Sequence, residues 1–97
     1  MMSEDSSNSP LFGLKVFDMT QIIAGPFCTT MLADLGAEIV KLERPPYGDD
    51  TRTVGRYKGR ENHEDYFYAN NRSKKSITLN LKNEVERLAA IALAKEA

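Results

Sequence analysis

Apolar and polar positions along this chain change period several times, and each change marks an element boundary. After Gly13 comes LKVFDM, Leu14 to Met19, a short apolar-rich run. Val16 and Phe17 suit a pleated, buried surface, so the run predicts a strand. Gly25 and Pro26 then punctuate the chain. Proline lacks the N–H that would be orphaned in a first helical turn, so a helix is expected to start at Pro26. From there Phe27, Cys28, Met31, Leu32 and Leu35 recur at helical spacing and predict an apolar stripe. Gly36 falls where a left-handed residue ends a helix. AEIVKLE, Ala37 to Glu43, carries Ile39, Val40 and Leu42 and predicts a second strand.

Arg44 to Asp65 is polar and rich in Pro, Gly, Asp and Arg. A loop of that length in a compact domain is usually functional or mobile. YFYANN, Tyr66 to Asn71, is aromatic and predicts a short helix or turn. SITLNL, Ser76 to Leu81, alternates Ile77, Leu79 and Leu81 against Thr78 and Asn80, the signature of a third strand. NEVERLAAIALAKEA then predicts a helix. Asn83 is its N-cap, Glu86 stands where a capping box places a glutamate, and Val85, Leu88, Ala89 and Ala92 form the expected buried stripe.

The resulting order is β-α-β-loop-β-α, the first part of an open α/β sheet. Strand, helix and strand within about thirty residues make a βαβ unit, with parallel strands and a right-handed crossover. The sequence divides into a flexible polar tail, residues 1–10, and one small domain, residues 11–97. Three strands and two helices give a thin core. The chain is therefore expected to be a fragment of a larger protein, or to need a partner.

Hydrophobic residues at 41% and charged residues at 28% fit a globular chain rather than a disordered one. A net charge of −1 gives no overall attraction to nucleic acid or membranes, so any basic site is local. No apolar run approaches the ~20 residues of a membrane helix. The opening MMSEDSSNSP lacks the basic and apolar regions of a signal peptide. Cys28 is the single cysteine, which excludes an intrachain disulfide and suits a reducing, cytoplasmic setting.

In an open α/β sheet, ligands bind beyond the carboxyl ends of the strands. Here those ends are Asp18 to Ala24, Glu43 to Pro45, and Leu81 to Lys82. The first holds a helix N-terminus, whose free N–H groups and positive dipole end favour an anion. The second supplies Arg44 and the third Lys82, so a phosphorylated nucleotide would meet two cations; the alternative is that both are solvated surface charges. NNRSKKS adds Arg72, Lys74 and Lys75, which could contact phosphate or simply form a charged loop. GDDTR, Gly48 to Arg52, reads as a turn with a surface ion pair, since no histidine lies near enough to complete a transition-metal set. His63 reads as an exposed side chain. Cys28, on the apolar stripe, reads as a small core residue rather than a nucleophile. Tyr66, Phe67 and Tyr68 could stack on a base, with packing the commoner use of adjacent aromatics.

Several segments, in order, resemble the N-terminus of the family III CoA-transferases, the group that includes formyl-CoA:oxalate and carnitine CoA-transferases. The family opening has the form G-x-x-V-x-D-x-T-x-x-x-A-G-P-x-C/A-T, then L-A-D-x-G-A-x-V-I-K-x-E, then G-D-x-x-R. LFGLKVFDMTQIIAGPFCTTMLADLGAEIVKLERPPYGDDTR is similar to all three, and YFYANNRSKKSITLNLKN resembles the family's N-R-x-K-x-S-I-x-L-D-L-K segment. The resemblance spans about Leu11 to Ala97.

It implies the first half of a Rossmann-like domain that binds coenzyme A, and transfer of CoA from an acyl-CoA donor to a carboxylic acid acceptor without a metal. It places Ile23 and Ala24 in a turn along the CoA backbone, Arg44 and Lys82 at the phosphoadenosine end, and Leu79, Asn80 and Leu81 along the adenine. Family members usually carry Asp where this chain has Asn80. Their nucleophilic aspartate matches no residue here, Asp18, Asp34 and Asp49 included. The chain is thus expected to be a CoA-binding N-terminal part, inactive alone, of an enzyme that forms an interlocked homodimer. Two alternatives stand beside this. A 2-methylacyl-CoA racemase has a similar opening, although the long Arg44 to Asn71 link with GDDTR leans toward a transferase. The other is a non-catalytic nucleotide-binding fragment.

Overall fold

The computed structural model describes residues 8–52 and 65–97. Most of the expected polar tail, His63, much of the Arg44 to Asp65 loop and the Tyr66 side chain lie outside the described residues and side chains. The elements are β1 (Lys15–Asp18), α1 (Ala24–Asp34), β2 (Glu38–Glu43), a 3₁₀ turn (Asp50–Arg52), α2 (Asp65–Asn71), β3 (Lys75–Thr78) and α3 (Glu84–Glu96). The strands form one parallel sheet in the order β1-β2-β3. Val16 pairs with Ile39, and Leu42 with Ile77. The expected α/β architecture is present, with YFYANN helical in α2.

Boundaries differ from expectation for local reasons. α1 begins at Ala24, so Pro26 occupies its third position, still within the first turn where a missing N–H costs nothing. Its end is as expected. Gly36 (φ +107°) gives its N–H to Ala33 O, while Ala37 N–H reaches Leu32 O. This is the paired closure of a Schellman motif, which needs a left-handed residue at Gly36. β3 stops at Thr78 because Asn80 Oδ1 accepts the Lys82 N–H and curls the chain into a turn. Asn83 Oδ1 then caps α3 by accepting the Glu86 N–H. Glu86 does not complete a capping box. Its carboxylate accepts from Asn80 N–H instead, locking the turn onto the helix.

The apolar stripes predicted for both long helices are mostly turned away from the core, Leu32 of α1 excepted. In α1, Pro26, Thr29, Thr30 and Ala33 are buried, whereas Phe27, Met31 and Leu35 are exposed, as is Cys28. Small and hydroxylated residues win the inner face because the helix sits against buried polar groups. Thr29 Oγ1 donates to Asp18 at 2.8 Å, and Thr30 Oγ1 to Asn70 O at 2.6 Å. In α3 only Ala90 is buried, with Val85 and Leu88 exposed. The apolar core is correspondingly small. Ile39 packs with Ala33 and Ala37, and Leu11, Val16 and Leu32 close around them. On the opposite sheet face Phe17 and Val40 share a groove with Leu93 of α3.

Charges occupy the centre of the carboxyl half of the sheet. Asp18, at the end of β1, is paired with Lys74 at 2.9 Å. The Lys74 ammonium also donates to Asn71 Oδ1 (2.7 Å) and Pro26 O (3.1 Å), so all three of its protons are placed. Lys41 of β2 pairs with Asp49 at 2.9 Å, both side chains being 1% exposed or less. Glu43 of β2 receives Arg52 Nε and Nη2, each at 2.7 Å, together with Ser76 Oγ. The Arg52 guanidinium in turn lies 3.7 Å over the Phe67 ring, whose edge contact is with Tyr68. The basic run Arg72, Lys74 and Lys75 is thus divided among three acids, with Arg72 on Asp34 and Lys75 on Glu38. GDDTR, read as an ordinary surface turn, has its first aspartate, Asp49, only 2% exposed.

Burial by itself raises the pKa of each of these carboxyls, but the hydrogen bonds outweigh it. Arg52, Ser76 and the Asp49 N–H hold Glu43 at about 2, from an ordinary 4.5. Asp18 is held down by Thr20, Lys74 and Thr29, and Asp49 by Lys41 and Thr51. Burial lowers Lys74, with Asp18 opposing it. For Glu43 the folded-state pKa lies below the unfolded one. Its stabilisation is therefore complete above pH ~4.5 and is lost as pH falls through the folded value near 2. Thermal melts followed by circular dichroism should be level above about pH 5 and fall steeply below it, with Glu43→Gln making that fall shallower. Lys74→Met leaves Asp18 buried without a counter-charge and should cost about 3–5 kcal/mol in urea unfolding.

Candidate functional site

The site is built from the carboxyl ends of the three parallel strands. After β1 the chain turns sharply before entering α1. Asp18 starts the turn by accepting from both the Thr20 N–H (2.8 Å) and the Thr20 hydroxyl. Ile22 then adopts φ +76°, a left-handed conformation that is costly for a β-branched residue. Its N–H points at the Asp49 carboxylate, 3.2 Å from each oxygen. The Thr20 carbonyl accepts from Lys41 Nζ at 2.8 Å. Gly25 permits the close return of the helix, since a Cβ there would lie 2.5 Å from Thr20 Cβ. Ile23 occupies the N-cap of α1, and no side-chain hydrogen bond caps the helix there.

Beside this turn lies a cavity of about 460 Å³. Leu42, Leu79 and Leu81 give it an apolar lining, and Met19 and Gln21 from the turn form one side. Arg44, Asn80 and Lys82 bring polar groups to it, and Pro45, joined to Pro46 by a cis peptide bond, closes one edge. Five of the seven residues selected from sequence therefore meet in one place: Arg44, Leu79, Asn80, Leu81 and Lys82. Ile23 and Ala24 are exposed at the start of α1 and do not line the cavity; the turn that does, through Met19 and Gln21, leads directly into them.

Arg44 is paired with Asp50 at 2.8 Å, and both side chains are more than half exposed. Exposed pairs of this kind contribute about 0–1 kcal/mol, so the guanidinium can exchange partners at little cost. Asn80 is fixed from both sides, its N–H on Glu86 and its Oδ1 on Lys82 N–H. Asn80 thus places a neutral hydrogen-bonding side chain next to Lys82. Among the described residues no group of His, Cys, Asp and Glu could hold a metal ion, and no helix is long and apolar enough to cross a membrane.

Sequence reasoning missed the layer beneath the cavity. Lys41 and Asp49 touch the turn, yet the sequence pattern gives Lys41 no role, places Asp49 in a surface turn and shows Glu43 only as a strand end. A signal was present. In EIVKLE the alternate residues Ile39, Lys41 and Glu43 share one sheet face, so two charges follow an apolar residue into the same buried layer. Such charges require partners in the fold, and GDDTR held them.

Comparison with known proteins bears on the family and the fold. Residues 11–97 match the family described as CoA-transferase family III. The chain is 48% identical to an acetyl-CoA:oxalate CoA-transferase of Acetobacter aceti, over 91% of its own length and 22% of that protein. It is 45% identical to the human succinyl-CoA:glutarate CoA-transferase, over 92% of its length and 21% of the relative. Among solved structures, a CAIB/BAIF family protein from Brucella suis superposes with a TM-score of 0.81 and 44% identity, covering 93% of this chain and 24% of that one. The chain spans about a fifth of the length of the curated relatives it matches. With a family match over 11–97 and a shared fold, this chain belongs to CoA-transferase family III.

Proposed function

We propose that the chain supplies a coenzyme A site to an enzyme that moves CoA from an acyl-CoA to a carboxylic acid. The observation that carries this reading is the cavity at the carboxyl ends of β2 and β3. It combines an apolar lining from Leu42, Leu79 and Leu81 with Arg44 and Lys82, a pairing that suits a nucleobase and its phosphates. The adenine lies along Leu79, Asn80 and Leu81. The phosphates of the phosphoadenosine end meet Arg44 and Lys82, with Arg44 leaving Asp50 for the more highly charged partner. The extended arm of CoA runs past the turn toward Ile23 and Ala24, where the uncapped start of α1 offers backbone N–H donors.

No residue of this chain is assigned a catalytic role. Asp18 and Asp49 are buried in ion pairs, and Asp34, at the end of α1, is in an exposed ion pair with Arg72. A carboxylate nucleophile must reach the acyl carbon unencumbered, and the buried, ion-paired Asp18 and Asp49 do not. Resemblance to the family, rather than elimination, assigns the nucleophilic aspartate to residues outside this chain, in a cytoplasmic homodimer whose acyl donor and acceptor are selected there. The relatives that act on oxalate and glutarate favour transfer over the racemase alternative.

Calorimetric titration of the 97-residue chain with CoA tests the reading. Saturable binding is expected, weakening as salt rises. Arg44→Ala and Lys82→Ala should each raise the Kd roughly tenfold, the loss of one charge-assisted contact. CoA lacking the 3′-phosphate should bind more weakly and be less sensitive to both substitutions. Absence of saturable binding, or binding indifferent to both substitutions, rejects the site.

A further inference from the structure

The buried Lys41–Asp49 pair does more than join two segments. Each partner spares a bond for the turn that leads from β1 into α1: Lys41 Nζ holds the Thr20 carbonyl at 2.8 Å, and the Asp49 carboxylate holds the Ile22 N–H at 3.2 Å from both oxygens. Those two bonds bracket Gln21, a cavity-lining residue, and grip Ile22 at its left-handed φ of +76°. A β-branched residue keeps that conformation only where its surroundings over-determine it.

Asp49 is itself immobilised from β2. Its N–H is donated to Glu43 Oε1 at 2.9 Å, and its carboxylate meets Lys41 of the same strand at 2.9 Å. Thr51 closes the remaining side, with N–H and hydroxyl both on Asp49 Oδ1. We infer that Lys41 and Asp49 are positioning residues, a clamp by which β2 sets the shape of the Thr20 to Ile23 turn for the ligand. This rests on the reading of the adjoining cavity as the CoA site. Neither side chain touches the ligand; both act through backbone atoms of the turn.

A fold-holding pair and a turn-holding pair respond differently when both charges are removed together. Replacing a buried ion pair by apolar residues of similar volume is commonly neutral or stabilising for the fold, because desolvation of two charges is avoided. The test variant is therefore Lys41→Met combined with Asp49→Leu in the 97-residue chain. It should fold, with the Ile39 and Val40 amides as protected from hydrogen exchange as in the parent. The Ile22 amide, deprived of its acceptor, should exchange at least roughly tenfold faster, and CoA should bind roughly tenfold more weakly.

An Ile22 amide that stays protected in the folded variant overturns the clamp. So does a double variant that fails to fold, since the pair would then be a requirement of the fold as a whole. Faster Ile22 exchange with unchanged CoA affinity overturns the positioning role. If the parent chain does not bind CoA, the cavity reading fails on its own, and the exchange of Ile22 still decides whether the pair shapes the turn.

Discussion

A charge removed from water must find a counter-charge and hydrogen bonds in the fold, and that requirement organises the carboxyl end of this sheet. Asp18, Lys41 and Glu43 point into the layer between the sheet and α1–α2, where most small α/β domains place aliphatic side chains. Each then dictates the position of a segment distant in sequence. Asp18 fixes Lys74 and the start of β3, Lys41 fixes Asp49, and Glu43 fixes Arg52 and, through it, Phe67 of α2. Residues 49–52 are thereby tied to β2. The polar layer supplies directional restraints that a few alanines and one isoleucine could not.

The same constraint explains the amphipathicity of α1. A helix covering carboxylates needs hydroxyls and close approach on its inner face, and Thr29, Thr30 and Ala33 provide both. Its larger apolar residues, Phe27, Met31 and Leu35, are left on the outside, and in α3 Val85 and Leu88 are likewise exposed. A period-3.6 stripe identifies a helix correctly whichever side it faces, but assigning its apolar side to the nearest core assumes that core to be apolar. Here the assumption fails on α1, and the reading of Cys28 as buried fails with it.

What was legible in the sequence follows from whether the cause is local. The strands, the Schellman ending at Gly36 and the Asn83 cap depend on neighbouring residues, and the pattern contains them. The meeting of Arg44 with Leu79, Asn80, Leu81 and Lys82 follows from parallel topology, since parallel strands deliver their carboxyl ends to one edge. Pairings such as Asp18 with Lys74, or Lys41 with Asp49, join residues tens of positions apart in a chain with many charges of each sign. Composition cannot choose among them. The left-handed Ile22 was invisible for the related reason that nothing in QIIAG calls for it; the demand comes from Asp49 on another segment.

The two kinds of cation near this edge divide by exposure, and the division bears on how a phosphate-bearing ligand can be held without a glycine-rich fingerprint. Lys41 and Lys74 are buried, each locked to a carboxylate, and any phosphate competing for them would strand that carboxylate in the interior. Arg44 sits at the rim on an exposed acid, and Lys82 has no ion-pair partner among the described residues. These two can turn to a ligand at little cost. A dinucleotide fingerprint brings backbone amides to the phosphate by using glycines for the turn itself. Here Gly25 serves the packing of Thr20 against the helix, while buried charges hold the turn and surface charges are left for the ligand. The turn that precedes Ala24, Gly25 and Pro26 is consequently a shaped wall beside the cavity, through Met19 and Gln21, supported from beneath by the strand next to it.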